Sequence, residues 1–95
     1  MNFIYLIRPK RDNFIETITD EESNIMSEHF EYLKNLLKKG KLVLAGPVTS
    51  GKFGIVILEA EDESKAQNIM LNDPAVASSI VSSELYPFRI SLMKK

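Results

Sequence analysis

Three short runs of this chain are apolar at consecutive positions, so any sheet they build has two faces to keep from water. Strand-length segments over residues 3–7, 41–48 and 53–60 carry them. Side chains alternate across a strand. Phe3, Tyr5 and Ile7 therefore oppose Ile4 and Leu6, while Leu42 and Leu44 oppose Val43 and Ala45. In the third run Ile55 and Ile57 oppose Val56 and Leu58. An antiparallel sheet with one wet face would alternate apolar with polar residues instead. The runs are too short for helices and are bounded by Pro9, by Gly46-Pro47 and by the turn Thr49-Ser50-Gly51-Lys52.

Between the first two strands a helix is predicted over residues 20–39. Thr19 and Glu22 have capping-box spacing, in which each side chain reaches the other's backbone N–H. Asp20, Glu21 and Glu22 complement the positive end of the helix dipole, and Lys38 and Lys39 the negative end. Gly40 supplies the left-handed position that closes such a helix. Residues 8–18 form a polar loop, with Phe14 and Ile15 expected to anchor it. A second helix begins after Asp62, with Ala66, Ile69 and Met70 on one side. Pro74 disfavours the helical region for Asp73, which stops this helix at Asn72 or Asp73. A short turn at Ala75-Val76-Ala77 follows. A last strand is read from Tyr86, Phe88, Ile90 and Leu92 alternating with Pro87, Arg89 and Ser91. Pro87 cannot donate to a ladder and marks that strand as an edge or a bulge.

The order β-α-β-β-α-β is the ferredoxin-like arrangement of an α+β fold, one domain over residues 1–95. Two helices cover one face of a four-stranded antiparallel sheet. The other face would expose an apolar patch larger than monomers usually carry. At about 25 cal/mol per Å², covering it favours association strongly. A homodimer packed sheet on sheet is expected; the alternative is that the second helix or the terminal residues fold over part of that face.

Composition narrows the partners. With 44% hydrophobic residues, 26% charged and a net charge of −1, the chain has no overall pull toward nucleic acid or an anionic membrane. It has no cysteine, which removes thiol nucleophiles, disulfides and thiolate metal sites. No apolar run approaches the roughly 18 residues a membrane helix needs. Met1-Asn2-Phe3-Ile4-Tyr5 reads as a strand rather than a signal peptide. A cytoplasmic protein is expected.

The chain has one histidine, His29, at mid-helix. Ile25, Leu36, Leu33, Leu37 and Phe30 span an arc of about 140°, and His29 lies inside it between Leu36 and Leu33. Glu28, Glu31, Lys34, Asn35 and Lys38 fall on the solvent side. A histidine so placed faces the core, or a pocket lined by it, and needs a hydrogen-bond partner. The helix pattern by itself favours a satisfied core histidine over a catalytic one. A lone histidine without thiolates is also a poor metal site. Asp73 is the natural partner, although a carboxylate before proline ordinarily caps a turn. Paired with His29 it would fix the tautomer and raise the basicity of the ring, as acid–base work near neutral pH requires. Spacing leaves open whether the two residues meet.

Arg8, Lys10 and Arg11 form either an anion-binding rim or, by the usual habit of exposed charges, a solvated loop. Ser78, Ser79, Ser82 and Ser83 have no base nearby in sequence and read as turn and strand-edge filler. Tyr5, Tyr32 and Tyr86 read as core or interface residues with a polar handle. RNA-recognition domains share the element order, and Lys52-Phe53-Gly54-Ile55-Val56-Ile57-Leu58 loosely echoes one of their motifs. Lys52 stands where that motif has glycine, and Ile55 and Leu58 stand where it has aromatics. An aliphatic sheet with this charge suits a protein partner better than a nucleic acid.

An ordered set of segments resembles the YCII-related domain family, the YciI-like proteins, along nearly the whole chain. It runs from Arg8-Pro9 and Phe14 through Thr19-x-x-Glu22 and Glu28-His29-Phe30-Glu31-Tyr32 to Gly40-Lys41-Leu42. It continues through Ala45-Gly46-Pro47-Val48, Phe53-Gly54-Ile55 and Asn72-Asp73-Pro74-Ala75-Val76 to Tyr86-Pro87-Phe88-Arg89. The resemblance implies a dimeric α+β barrel, similar to the group that includes muconolactone isomerase. It also implies a cleft with a catalytic His–Asp pair, by position His29 and Asp73. One related enzyme class removes chloride from a substituted hydroquinone with such a pair. The resemblance shifts His29 toward a functional role.

The expected function is therefore a cofactor-independent acid–base enzyme of isomerase or lyase type, acting on a small polar organic molecule. His29 would be the general base or acid and Asp73 its orienting partner, Arg8 would contact an anion, and Phe14, Gly46 and Pro47 would shape the pocket. No metal or cofactor is expected. A non-catalytic ligand-binding or assembly module of the same fold is the rival reading, and an RNA-binding module a remote one.

Overall fold

Thr19 opens the long helix as its spacing predicts. In the computed structural model, which describes residues 1–94, the Glu22 N–H donates to Thr19 Oγ1 at 3.1 Å and the Thr19 N–H donates to Glu22 Oε1 at 3.0 Å. The helix, α1 (Asp20–Lys38), closes with Gly40 at φ +74°. There the Lys41 N–H reaches back to the Leu36 carbonyl and the Gly40 N–H to that of Leu37. This end needs a left-handed residue, and glycine adopts that conformation without a Cβ penalty.

The remaining elements are β1 (Asn2–Pro9), β2 (Leu42–Pro47), β3 (Gly54–Glu59), α2 (Glu63–Leu71), α3 (Pro74–Ala77) and β4 (Val81–Phe88). The four strands form one antiparallel sheet in the order β2-β3-β1-β4. This is the α+β, ferredoxin-like arrangement that the element order implies. Phe3, Tyr5 and Ile7 of β1 point to the helix side with Val56 and Leu58 of β3, and all five are buried. Leu33 and Leu36 of α1, Met70 of α2 and Ala75 of α3 close the core over them.

Three expectations need correction. The last strand begins at Val81, five residues before Tyr86, and ends at Phe88. It takes its register from β1, whose Asn2 pairs with Phe88, so residues 89–94 have no strand to pair with. Ser82 and Ser83, read as turn and strand-edge filler, lie in this edge strand as ladder residues paired with Arg8 and Ile7. Secondly, Leu42 and Leu44 do not share a face. The register shifts between them, so Leu42 pairs with Leu58 on the helix side while Leu44 pairs with Ile57 on the other. A β-bulge of this kind opposes two residues to one. Thirdly, Phe30, Leu37 and Ile15 are not buried anchors; they are 59%, 57% and 63% exposed. The buried stripe of α1 is narrower than the apolar arc, because the sheet meets only the side of the helix that carries His29, Leu33 and Leu36.

The sheet face away from the helices carries Ile4 and Leu6 of β1, Ile55 and Ile57 of β3, and Tyr86 and Phe88 of β4. It also holds Arg8, whose guanidinium pairs with Glu84 and lies 5.7 Å from the centre of the Phe53 ring. Proline sits in both edge strands, Pro47 at the end of β2 and Pro87 in β4. No helix among the described residues is long and apolar enough to cross a membrane.

Candidate active site

Asp73 owes its position to the proline that follows it. Pro74 holds it extended, at φ −62° and ψ 126°, between the end of α2 and the start of α3. Its carboxylate Oδ1 accepts the Ala75 N–H at 3.0 Å, so it does cap a turn. The capping is one part of its work. The side chain is completely buried, and the same carboxylate meets two further side chains.

His29 Nδ1 lies 2.7 Å from Asp73 Oδ1 and 2.8 Å from Oδ2. Tyr5 donates its hydroxyl to Oδ2 at 2.7 Å. Three elements thus converge on one carboxylate: α1 with His29, β1 with Tyr5, and the α2–α3 junction. A carboxylate that already accepts two N–H or O–H groups leaves Nδ1 the donor role, which places the lone pair of the neutral ring on Nε2. Nε2 has no partner among the described residues, and the side chain is 11% exposed. Burial, and then Asp73 close by, push the Tyr5 phenol far above its ordinary range, so it remains a donor at physiological pH. Burial and Asp73 also raise Tyr32, which donates to the Ile69 carbonyl at 2.7 Å.

His29 stands in the wall of a cavity of about 630 Å³ between α1 and the β2–β3 hairpin. Phe14, Gly46 and Pro47 line it, as do Ile15, Phe30 and Leu37. Val43, the bulge residue of β2, lines it as well. The wall is apolar rather than polar: His29 and Lys34 are the side chains in it that carry a proton-dependent charge. Lys34 sits 5.3 Å from the centre of the Phe30 ring and 2.7 Å from Glu31.

Of the residues singled out in the sequence, His29, Asp73, Phe14, Gly46 and Pro47 come together here. Arg8 does not. The alternation of β1 turns it to the opposite sheet face, where Glu84 and Phe53 engage it. Arg11 is likewise engaged: its guanidinium grips both oxygens of Glu22, at 2.7 and 2.8 Å, and the Thr17 carbonyl. Tyr5 is the member that sequence reading missed. A tyrosine in the middle of an otherwise apolar buried strand must find a partner for its hydroxyl, and that was the available signal. Among the described residues no three or more His, Asp or Glu side chains gather as a metal site.

Comparison with known proteins bears on the family and the fold. A family model described as YCII-related domain matches residues 1–89. A search of curated proteins finds no match. Among solved structures, the chain is similar to 5-chloro-2-hydroxyhydroquinone dehydrochlorinase (TftG) from Burkholderia phenoliruptrix AC1100, in complex with 2,5-dihydroxybenzoquinone. The TM-score is 0.70 at 19% sequence identity, covering 94% of each chain, which shows a shared fold.

Proposed function

The chain belongs to the YCII-related domain family, and from that premise we propose that it is an acid–base enzyme of isomerase or lyase type in which His29 moves the proton. The observation that carries this reading is a histidine whose Nδ1 is held by a buried carboxylate while the residue lines an apolar cavity, with Nε2 free of any partner among the described residues. Nε2 takes a proton from an acidic C–H or O–H of the bound molecule, and Asp73 stabilises the imidazolium that results. Returning that proton to a different atom completes an isomerisation. Loss of a leaving group with the freed electron pair completes an elimination. The chemistry asks nothing of a metal or cofactor. A structurally similar protein named for removing hydrogen chloride from a hydroxylated ring supports the second outcome.

The cavity also refines the substrate. Its apolar walls suit a ring-sized hydrophobic body bearing a hydroxyl or enol, rather than a molecule that is polar throughout. Lys34, at the edge of the wall, is the cation available to an oxyanion. The open apolar sheet face supports a homodimer packed through that face as the working form. The deciding experiment follows exchange of C–H for C–D in D₂O over a panel of hydroxylated rings and enolisable lactones. The wild-type protein is expected to accelerate exchange in at least one compound, and His29→Ala to lose that acceleration by about 10²-fold or more. Equal exchange by the two proteins would overturn the proposal.

A further inference from the structure

We propose that Tyr5 is a positioning residue that sets how readily His29 holds a proton, acting through the shared Asp73 carboxylate. The geometry is a chain of three side chains from separate elements. The Tyr5 hydroxyl donates to Asp73 Oδ2 at 2.7 Å, and the same carboxylate accepts from His29 Nδ1 at 2.7 and 2.8 Å. Tyr5 and Asp73 are both completely buried. In such surroundings one hydrogen bond changes the charge available to the next.

The direction of the effect follows from what Asp73 can share. Each donor that binds the carboxylate draws off part of its negative charge. With Tyr5 in place, less charge remains to favour an imidazolium at His29, so the neutral ring, which is the base, persists to lower pH. Without the phenol hydroxyl the carboxylate leans more heavily on Nδ1–H, and a proton added at Nε2 is held more tightly. Other groups facing the pair are few. Tyr32 on α1 bonds the Ile69 carbonyl, and Lys34 stands at the cavity edge. From β2, β3, α3 and β4 the residues on this side carry no titratable group, Ser83 of β4 being polar but neutral, and α2 buries Ala66 and Met70 here, while Glu84 and Arg8 are on the far face of the sheet.

This inference deepens the acid–base reading and rests on it for its functional meaning, but its test reads His29 directly. Because the chain has one histidine, the ring signals in a ¹⁵N–¹H NMR titration assign themselves. Tyr5→Phe keeps the ring and removes the hydroxyl. It is expected to raise the midpoint of the His29 titration by about half a pH unit or more, and Asp73→Asn to lower it. Replacing Tyr5 by 3-fluorotyrosine in a Tyr32→Phe, Tyr86→Phe background keeps the hydroxyl and makes it a stronger donor, so the midpoint is expected to fall. That arm stands even if Tyr5→Phe folds poorly. An unchanged midpoint in both arms overturns the role of Tyr5 and leaves His29 as the base. A ring that does not titrate between pH 5 and 8 in any of these proteins overturns both.

Discussion

Asp73 shows how one buried side chain can gather donors from three separate elements. Its two oxygens satisfy the Ala75 N–H, the Tyr5 hydroxyl and the His29 ring. Asp73→Ala would strand those donors in the core. Each buried donor left without a partner costs about 1–3 kcal/mol. Chemical denaturation should therefore show Asp73→Ala less stable than wild type by about 3 kcal/mol, and Asp73→Asn, which keeps an acceptor and the shape, less affected. A loss below about 1 kcal/mol for Asp73→Ala would mean that other groups take over those donors. The position of Asp73 was legible in the dipeptide Asp73-Pro74, and that of His29 in the phase of its helix. The meeting of Tyr5 with Asp73 was not, because 68 residues separate them and only the tertiary fold brings them within reach.

Local rules explain the elements that carry their own signals. The Thr19–Glu22 box, Gly40 at the helix end and Asp62 as the cap of α2 each operate within a few residues, so each could be read directly. The bulge in β2 and the true start of β4 could not. Both are decided by a neighbouring strand: β3 sets the register of Leu42 and Leu44, and β1 pairs the polar stretch Ser82-Ser83-Glu84. At the start of α1 the cap is extended by Arg11, which ties the loop after β1 to Glu22. The Arg11 guanidinium, and then the Thr19 N–H, hold the Glu22 carboxyl down at about 2, against an ordinary 4.5. A depressed carboxyl stabilises the fold above its unfolded value and loses that contribution as pH falls through its folded value. The wild-type melting temperature should accordingly drop as pH goes from 4.5 toward 2. Glu22→Gln should melt lower at neutral pH yet lose less across that interval. Equal slopes for the two proteins would show that Arg11 and Glu22 do not act as a stabilising pair in solution.

On the scale of the whole molecule, two apolar surfaces stand out, and they lie on opposite sides of one sheet. The cavity beside His29 is on the helix side. The far face presents Ile4, Leu6 and Ile55, half-buried, with Tyr86 and Phe88 at 47% and 40% exposure. Sedimentation of the wild-type protein at micromolar concentration is expected to report a dimer. Ile4→Lys, which puts a charge at the middle of that face, should shift the distribution to monomer while leaving the helix signal in circular dichroism intact. A wild-type monomer at these concentrations would argue that the face stays free. Both surfaces could be anticipated from strands apolar on alternate sides, whereas the division of labour between them depended on which face the helices chose.

The prolines of the outer strands give that arrangement a limit. An outer strand with free N–H and C=O groups is a template on which another chain can lay its own strand, and repetition of that step makes a fibre. Pro47 and Pro87 each remove a donor from one border of the sheet. Growth by strand addition is thereby discouraged at both borders, so that self-association of the chain would run through the broad apolar face. Two copies that meet through such a face satisfy each other and stop. With its borders closed in this way, a sheet can carry an apolar face without offering the template on which fibres grow.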